Sequence, residues 1–369
     1  MTSNIKKILT IVGARPQFIK AAVISRLIIH QYKEFEEVMV HTGQHFDQNM
    51  SKIFFEELEI KSPKYSLDIN NVSHGEMIGQ MIIELEKILI IEKPSCVLVY
   101  GDTNSTLAGA IAAKKLNIPV AHIEAGVRNY DESMPEESNR YLVDRLAEIN
   151  FCCTDLGIIN LKDEGYLSAN LNKKVYMTGD LMYDAALYES SKDLKISNFS
   201  REIIESPNSY ILTTIHRASN TDNETILESI ITNLNSINNK KKIIMLAHPR
   251  TRAKLKNFNI IPEFPLHDPV GYYDTLQLIK NSSLVITDSG GLVREAYFFN
   301  KKSLLLLDNP LWPELIESKA CVNVPPLKMN LFNAFQEIEN TNINWPKYLF
   351  GDGNAGNKIL DHLKNFLGS

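Results

Sequence analysis

The chain has 369 residues, which is too long for one ordinary hydrophobic core and suits two domains. Its hydrophobic share of 44% and charged share of 22% are typical of an ordinary globular protein in water. The formal net charge of -5 argues against nucleic acid or an anionic membrane as a partner, so functions that need either are set aside.

Apolar segments of strand length alternate with segments of helical period in the first half of the chain. Each apolar segment is followed by a turn and then by a helix candidate. This order favours parallel strands that are covered by helices on both faces. The predicted strands are residues 7–12, 37–41, 96–100, 120–123, 149–153 and 175–178.

The second half of the chain repeats the alternation. Its predicted strands are residues 209–215, 242–247, 284–287 and 303–307, and the polar stretch 189–200 is the predicted linker. A glycine-rich turn at 351–356 precedes an amphipathic helix at 357–367. The sequence therefore predicts an α/β protein with two Rossmann-like doubly wound domains. Because such sheets bind ligands beyond the carboxyl ends of their strands, we expect the site in a central cleft that both domains face.

The four cysteines give an indication of the compartment. They have no paired C-x-x-C spacing, which predicts buried thiols rather than a metal site or disulfides and therefore a reducing compartment. The apolar stretch at the N-terminus is too short for a signal peptide, and no segment reaches the roughly 20 apolar residues of a membrane span. We therefore expect a cytoplasmic protein that does not interact with membranes.

Three acidic positions follow or flank predicted strands of the first half. Asp102 closes one apolar strand, Glu124 follows the next, and Glu136 with Glu137 opens the helical stretch after it. These carboxylates could converge on one crevice. Bringing several carboxylates together costs electrostatic free energy, and such clusters are concentrated at functional sites. These residues are therefore candidates for acid–base catalysis.

Each acidic position also has a purely structural explanation. Asp102 suits the N-cap of a helix over 104–115. Ser133 and Glu136 have the spacing of a capping box, in which Glu136 would accept from the Ser133 backbone N–H. Arg140 lies at helical spacing from the glutamates, so part of the cluster could be ion-paired structure.

Two turns are candidates for anion binding. Gly13-Ala14-Arg15-Pro16 joins the first strand to a helix, and places Arg15 near the positive end of that helix. The alternative is an ordinary turn with a solvated arginine.

In the second half, Ser289, Gly290 and Gly291 lie between a strand and a helix, where bare backbone N–H groups suit a phosphate. Glu295, one helical turn onward, could then accept hydrogen bonds from ribose hydroxyls. The alternative is a glycine turn with a surface glutamate. A G-x-G-x-x-G motif with its distant acidic residue is missing after the first strand, so a nucleoside diphosphate is indicated rather than a nicotinamide dinucleotide.

Two histidines end strands of the second half. His216 could act on a leaving phosphate or polarise a sugar hydroxyl, and His248 could contact the nucleotide. The alternative for both is a structural role.

Seven motifs taken together resemble the non-hydrolysing UDP-N-acetylglucosamine 2-epimerases. In chain order they are Gly13-Ala14-Arg15-Pro16-Gln17, Thr42-Gly43-Gln44-His45, Gly101-Asp102-Thr103-Asn104-Ser105-Thr106, His122-Ile123-Glu124-Ala125-Gly126, Met134-Pro135-Glu136-Glu137-Ser138-Asn139-Arg140, His216-Arg217 and Asp288-Ser289-Gly290-Gly291. The resemblance implies a glycosyltransferase-B-like architecture, with residues 1–185 and the C-terminal helix 352–369 in one domain and residues 186–351 in a UDP-binding domain. It also implies a homodimer.

The resemblance implies isomerase activity in nucleotide-sugar metabolism and polysaccharide biosynthesis. UDP-N-acetylglucosamine would be converted to UDP-N-acetylmannosamine by elimination and re-addition of UDP through a 2-acetamidoglucal, with no metal and no cofactor. The catalytic positions would be Asp102, Glu124, Glu136 and His216, with Asp102 and Glu136 as the proton-transfer pair in an order left open. The substrate-binding positions would be Arg15, Lys20, Arg140, His248, Ser289, Gly290, Gly291 and Glu295.

The sequence departs from the family at the predicted sugar and regulatory positions. Within 307–314, most members have arginines where this chain has Leu307 and Trp312, and a threonine-rich turn where it has Asn309-Pro310. Asp47 replaces a glutamine that is common in members regulated by a second substrate molecule. The chain also resembles relatives that act on modified UDP-sugars such as diacetamido-uronates, which gives an alternative substrate.

Three other functions remain as alternatives. A retaining glycosyltransferase would share the nucleotide-binding glycines but has no use for several acidic groups around C2. A hydrolysing 2-epimerase matches the 134–140 motif less well. A catalytically silent nucleotide-sugar sensor would keep the UDP site and tolerate substitution of the acidic residues.

Overall fold

The computed structural model describes residues 5–44, 58–168, 170–171, 173–191 and 196–368. The chain forms two compact units. Unit 1 contains Met1–Ala185 and Tyr348–Ser369, and unit 2 contains Ala186–Lys347. The chain thus returns to unit 1 slightly before residue 352, and the boundary at 185/186 lies before the predicted linker at 189–200.

Unit 1 is built on a parallel sheet of seven strands in the order β3-β2-β1-β4-β5-β6-β7. The central strand β4 is buried at every position, which explains why its sequence reads as a continuous apolar run. The strands are β1 (Lys6–Val12), β2 (Phe35–His41), β3 (Tyr65–Ser66), β4 (Cys96–Tyr100), β5 (Val120–Ala125), β6 (Ile149–Cys152) and β7 (Lys174–Met177).

The described helices of unit 1 are α1 (Arg15–His30), α2 (His74–Glu92), α3 (Asn104–Lys115), α4 (Pro135–Leu146), α5 (Asp155–Asp163), α6 (Leu181–Ser190), which runs across the unit boundary, and the C-terminal α15 (Ala355–Gly368). Helix α2 contacts α3, and α3 contacts α4. Residues of α2 and α3 share one hydrophobic core with β1, β2 and β4. Helix α15 packs against α1.

Unit 2 has a parallel sheet of six strands in the order β10-β9-β8-β11-β12-β13. The strands are β8 (Tyr210–Thr214), β9 (Lys242–Leu246), β10 (Leu266–His267), β11 (Leu284–Thr287), β12 (Lys302–Leu305) and β13 (Cys321–Asn323). The helices are α7 (Asn198–Ile204), α8 (Ala218–Thr221), α9 (Glu224–Asn238), α10 (Pro249–Asn257), α11 (Tyr272–Asn281), α12 (Gly290–Phe298), α13 (Pro313–Glu317) and α14 (Leu331–Asn340).

All four cysteines lie among the described residues and are buried, which confirms that part of the prediction. Within the described ranges, the structure contains no helix with the length and apolar character needed to cross a lipid bilayer.

Helix α15 is held at its N-terminus by a carboxylate from α6. Asp184 accepts hydrogen bonds from the backbone N–H groups of Ala355 at 3.1 Å and Gly356 at 2.8 Å. Burial raises the pKa of Asp184 to about 6, against the lowering effect of the two N–H donors, and the nearby charges of Asp180 and Asp352 add to the increase. Asp184 therefore titrates close to neutral pH.

This pKa predicts a pH-dependent stability of unit 1. Because the folded state binds the Asp184 proton more tightly than the unfolded state does, stability should fall as pH rises from about 4 through 6, by about 3 kcal/mol in total. We expect Asp184→Asn to remove most of this fall, measured by urea unfolding at a series of pH values. Asp163→Asn, an exposed acid at the end of α5, should leave the pH profile unchanged. An unchanged profile in Asp184→Asn would contradict the assignment.

Candidate functional site

The carboxyl edge of the unit 1 sheet is held together by one buried amide. The Gln17 side chain accepts from the backbone N–H of Gly13 at 2.7 Å and donates to the carbonyl oxygen of Tyr100 at 2.7 Å. It thus ties the turn after β1 to the end of β4. Arg15, half-buried, is the first residue of α1 in this turn. The sequence assigns no role to Gln17, because Tyr100, one of its partners, is distant in the chain.

Asp102 lies beyond the end of β4 and pairs with Arg140. The Arg140 guanidinium donates to Asp102 Oδ2 at 2.9 Å from Nε and 2.6 Å from Nη2. Asn139 donates to the Asp102 carbonyl oxygen at 2.8 Å. The N-cap of α3 is Thr103, so the alternative prediction that Asp102 caps this helix is wrong. The carboxylate is instead fixed from α4.

The capping box predicted for α4 does not form. Its N-cap is Met134, and the Ser133 backbone N–H donates to Asp131 rather than to Glu136. The reason is local, since the short Asp131 side chain reaches the same donor. Glu136 is half-buried and has no hydrogen bond or ion pair among the described residues.

Glu137, the neighbour of Glu136, is buried and structural. Its carboxylate accepts from the backbone N–H groups of Asn129, at 3.3 Å, and Tyr130, at 2.9 Å, and pairs with Arg140. The prediction of an ion pair between Arg140 and a glutamate of this helix is therefore confirmed for Glu137. Of the two glutamates, Glu136 is the one without a structural interaction among the described residues.

Glu124 occupies a distorted position in β5. Its φ is 72°, and the pairing of β5 with β6 shifts register between Ile123 and Ala125. A non-glycine residue in the left-handed region is strained and persists where the surroundings impose it. The Glu124 carboxylate is buried and forms an ion pair with Lys20 of α1, which is also buried. The two predicted residues are therefore brought together.

Glu124 also belongs to a group of possible metal ligands. Ligand atoms of Glu124, Cys153 and Asp180 lie within 4.8 Å of one another, and all three residues are buried. Because the Lys20 ammonium already neutralises Glu124, a cation would have to compete with it. We assign no ion to this group.

In unit 2, Asp288 organises the turn that carries His216. The Asp288 carboxylate is fully buried and accepts from the backbone N–H groups of His216, at 3.0 Å, and Arg217, at 2.8 Å, and from the Asn220 side chain at 3.1 Å. His216 Nδ1 lies 3.2 Å from the same carboxylate, and 42% of the His216 side chain is exposed. This role of Asp288 could not be predicted from the sequence, because the two backbone donors lie 72 and 71 residues away in the chain.

The glycine turn follows Asp288 directly. Ser289 is the N-cap of α12, and its hydroxyl accepts from the backbone N–H of Leu292 at 3.3 Å. A Cβ on Gly290 would come no closer than 3.8 Å to Leu311, and one on Gly291 would meet only the Ser289 hydroxyl at 3.8 Å. Packing therefore does not require these glycines. Glu295 lies on the same helix and is buried.

His248 is the N-cap of α10, where its Nδ1 accepts from the backbone N–H of Arg250 at 3.2 Å. Burial lowers its pKa, and the charges of His216 and Arg250 act in the same direction. The His248 and His216 rings lie 6.3 Å apart, so unit 2 brings the two predicted histidines together.

Comparison with known proteins places this arrangement in a family. The family profile described as "UDP-N-acetylglucosamine 2-epimerase" matches residues 28–364. The chain belongs to the UDP-N-acetylglucosamine 2-epimerase family. The predicted resemblance and the prediction of an isomerase are thus confirmed.

Two curated relatives in this epimerase family match nearly full length. The "UDP-2,3-diacetamido-2,3-dideoxy-D-glucuronate 2-epimerase" of Pseudomonas aeruginosa is 44% identical, over 97% of this chain and 99% of the relative. A "UDP-N-acetylglucosamine 2-epimerase" of Methanococcus maripaludis is 40% identical, over 96% of this chain and 97% of the relative.

A solved structure in the epimerase family supports the fold. The crystal structure of the Methanocaldococcus jannaschii UDP-GlcNAc 2-epimerase in complex with UDP-GlcNAc and UDP has a TM-score of 0.87 and 39% identity, with 97% of this chain and 99% of that chain covered. The predicted glycosyltransferase-B-like α/β fold is therefore confirmed.

The segment 307–314, which was predicted to differ from most members of the family, packs near α12. Trp312 is buried, and its ring lies 4.2 Å from the Arg294 guanidinium carbon. Asp308 forms an exposed ion pair with Lys328 at 2.6 Å. Asp47, the predicted difference at the regulatory position, lies outside the described residues, as does His45, the last residue of the Thr42–His45 motif.

Proposed function

We propose that the protein inverts the configuration at C2 of a UDP-2-acetamido sugar, with UDP-N-acetylglucosamine and UDP-N-acetylmannosamine as the interconverted pair. The observation that carries this proposal is the set of carboxylates at the carboxyl edge of the unit 1 sheet. Asp102 is fixed by Arg140, Glu124 is paired with Lys20, and Glu136 is left half-exposed.

C2 of the sugar has no adjacent carbonyl to acidify its hydrogen, so the inversion needs an elimination. A base removes the C2 proton while the C1–O bond breaks, and UDP leaves with the bonding electron pair. The intermediate is a 2-acetamidoglucal. The UDP oxygen then adds back to C1, and an acid supplies a proton to the opposite face of C2. Two groups with different environments are needed.

Two carboxylates suit the two proton transfers. Asp102 is held in one orientation by two hydrogen bonds from the Arg140 guanidinium to Oδ2, so that Oδ1 is the oxygen that could take a proton. Glu136 has no partner within the described residues and is half-exposed, which suits a group that changes its protonation state during turnover. Glu124, tied to Lys20, would act as an auxiliary charge.

Unit 2 would hold UDP. The backbone N–H groups of Gly290 and Gly291 at the start of α12 suit the diphosphate, and the absence of crowding at Gly291 leaves room for close approach. Glu295 would accept from the ribose, and His216 and His248 would contact the departing diphosphate. Arg15 of unit 1 would add a positive charge.

A diacetamido-uronate is the second candidate for the sugar. It is supported by the Pseudomonas aeruginosa relative, a UDP-diacetamido-uronate 2-epimerase that is 44% identical over 97% of this chain.

Deuterium exchange would test both candidates. The protein is incubated in heavy water with UDP-N-acetylglucosamine or with the UDP-diacetamido-uronate, and deuterium at C2 is followed by NMR together with free UDP. We expect label at C2 with one of the two sugars. If the protein binds UDP tightly but neither sugar gains deuterium at C2, the proposed epimerase activity is contradicted and a catalytically silent nucleotide-sugar sensor is favoured.

We further propose that the protein is a homodimer in the cytoplasm. Exposed isoleucines on α2 support an apolar contact, with Ile83 56%, Ile90 55% and Ile91 69% exposed. Buried thiols suit a reducing compartment.

Ile90→Glu should convert the dimer to a monomer, because it places a charge in a contact that would otherwise be apolar. Sedimentation velocity measures the change. The control is Leu327→Glu, which changes an exposed apolar residue of unit 2 that is 58% exposed. A wild-type chain that sediments as a monomer would refute the dimer.

A further inference from the structure

His122 is a fully buried histidine in β5 that the proposed reaction does not use. Its Nε2 lies 2.7 Å from the carbonyl oxygen of Gly101. Its Nδ1 lies 2.7 Å from Oδ1 of Asp144 on α4. A carbonyl oxygen can only accept a hydrogen bond, so Nε2 carries a proton.

The Asp144 carboxylate is ionised, and it therefore also accepts from His122. Its Oδ2 accepts from the Gly126 backbone N–H at 3.2 Å and pairs with Arg128 at 2.8 Å. Burial alone raises the pKa of Asp144, but the hydrogen bond and charge of His122 and the Arg128 guanidinium outweigh it, so that the pKa is lowered. Both ring nitrogens of His122 thus face acceptors.

The surrounding charges balance when His122 is an imidazolium. Arg128 also donates to Glu164, at 2.8 Å, so two cations then face the two carboxylates of Asp144 and Glu164. Two further titratable groups close to Asp144, Cys152 and Tyr166, are neutral at pH 7. Burial raises the pKa of the Cys152 thiol well above its usual value and that of Tyr166 to about 12.

The backbone atoms held by this pair belong to the two strand ends with predicted catalytic carboxylates. Gly101 precedes Asp102, and Gly126 lies two residues after Glu124. Glu124 has a φ of 72°, which is strained for a non-glycine residue and persists only where the surroundings impose it, whereas Gly101, with a φ of 64°, and Gly126, with a φ of 76°, adopt the left-handed region freely. The buried pair of His122 and Asp144 makes one hydrogen bond to the Gly101 carbonyl oxygen and one to the Gly126 backbone N–H.

We propose that His122 is a positioning residue, kept as a doubly protonated imidazolium that with Asp144 fixes the backbone beside Asp102 and Glu124. The inference rests on the proposed epimerase function, since it assigns those two carboxylates to catalysis. Its charge state and its effect on turnover can be measured separately.

NMR of the wild-type protein with ¹⁵N-labelled histidine tests the charge state without turnover. Because both ring nitrogens face acceptors, we expect both to carry a proton in the folded protein. The signal that is lost in His122→Gln identifies the residue. A ring with one unprotonated nitrogen would overturn the proposal. This measurement stands even if the protein proves not to be an epimerase.

Kinetics of His122→Gln test the positioning role. The glutamine amide can reach one partner but not both, so we expect kcat for C2 exchange to fall about 100-fold while KM and UDP affinity stay within about twofold. His362→Gln, in which a ring stacked on Tyr176 is removed from the same unit, should keep the wild-type kcat. Wild-type kcat in His122→Gln would overturn the role. If that variant does not fold, Asp144→Asn replaces it with the same expected kcat and KM pattern.

Discussion

Glu136→Gln should reduce deuterium exchange at C2 by about 1,000-fold without changing the stability of the protein. The change removes the titratable group and keeps the shape of the side chain. Because the capping box does not form and Glu136 has no partner among the described residues, no structural interaction is lost. The measurement is the exchange rate under saturating substrate, combined with urea unfolding.

The matched control is Asp163→Asn, which also replaces a carboxylate of unit 1 by its amide, here at an exposed position, and should exchange at the wild-type rate. UDP affinity should be unchanged in both variants, because neither Glu136 nor Asp163 is among the residues proposed to hold the diphosphate. A large loss of stability in Glu136→Gln with normal exchange would instead favour a structural role for this glutamate.

The main strands could be predicted from the sequence because parallel strands buried on both faces read as continuous apolar runs. The strand of residues 96–100 and that of residues 284–287 agree with the structure at both ends. The short strands β3, β10 and β13 were missed, since two or three residues show no periodicity. Their existence depends on neighbours distant in the chain.

The site could be predicted only in part. Asp102 and Glu124 follow adjacent strands, and the carboxyl ends of parallel strands share one edge of the sheet. Their partners could not be found in this way. The pairing of Glu124 with Lys20 depends on a bulge and a positive φ, and that of Asp102 with Arg140 depends on how α4 lies across the sheet. Sequence spacing does not encode either geometry.

Asp288→Ala should be the most damaging single change in unit 2. The buried carboxylate accepts from two successive backbone N–H groups, of His216 and Arg217, and from Asn220. Truncation leaves all three donors without this acceptor, the Asn220 amide in a buried place and the two backbone N–H groups in partly buried ones. Because each orphaned donor costs about 1–3 kcal/mol and the losses are not additive, we expect unit 2 to be destabilised by about 4 kcal/mol.

The same change should weaken UDP binding, since Asp288 connects the turn that carries His216 to the turn that carries Ser289. Its backbone carbonyl oxygen also accepts from the Arg217 side chain, at 2.9 Å, a bond that the alanine retains. Calorimetric titration with UDP at low temperature, where the variant is folded, should show an affinity at least about tenfold lower.

Asp222→Ala is the control. It removes an aspartate of the same unit that pairs with Arg250 and Lys254 but is 42% exposed, and exposed pairs contribute at most about 1 kcal/mol. Equal losses of stability and affinity in the two variants would show that burial of the Asp288 carboxylate does not organise the turn.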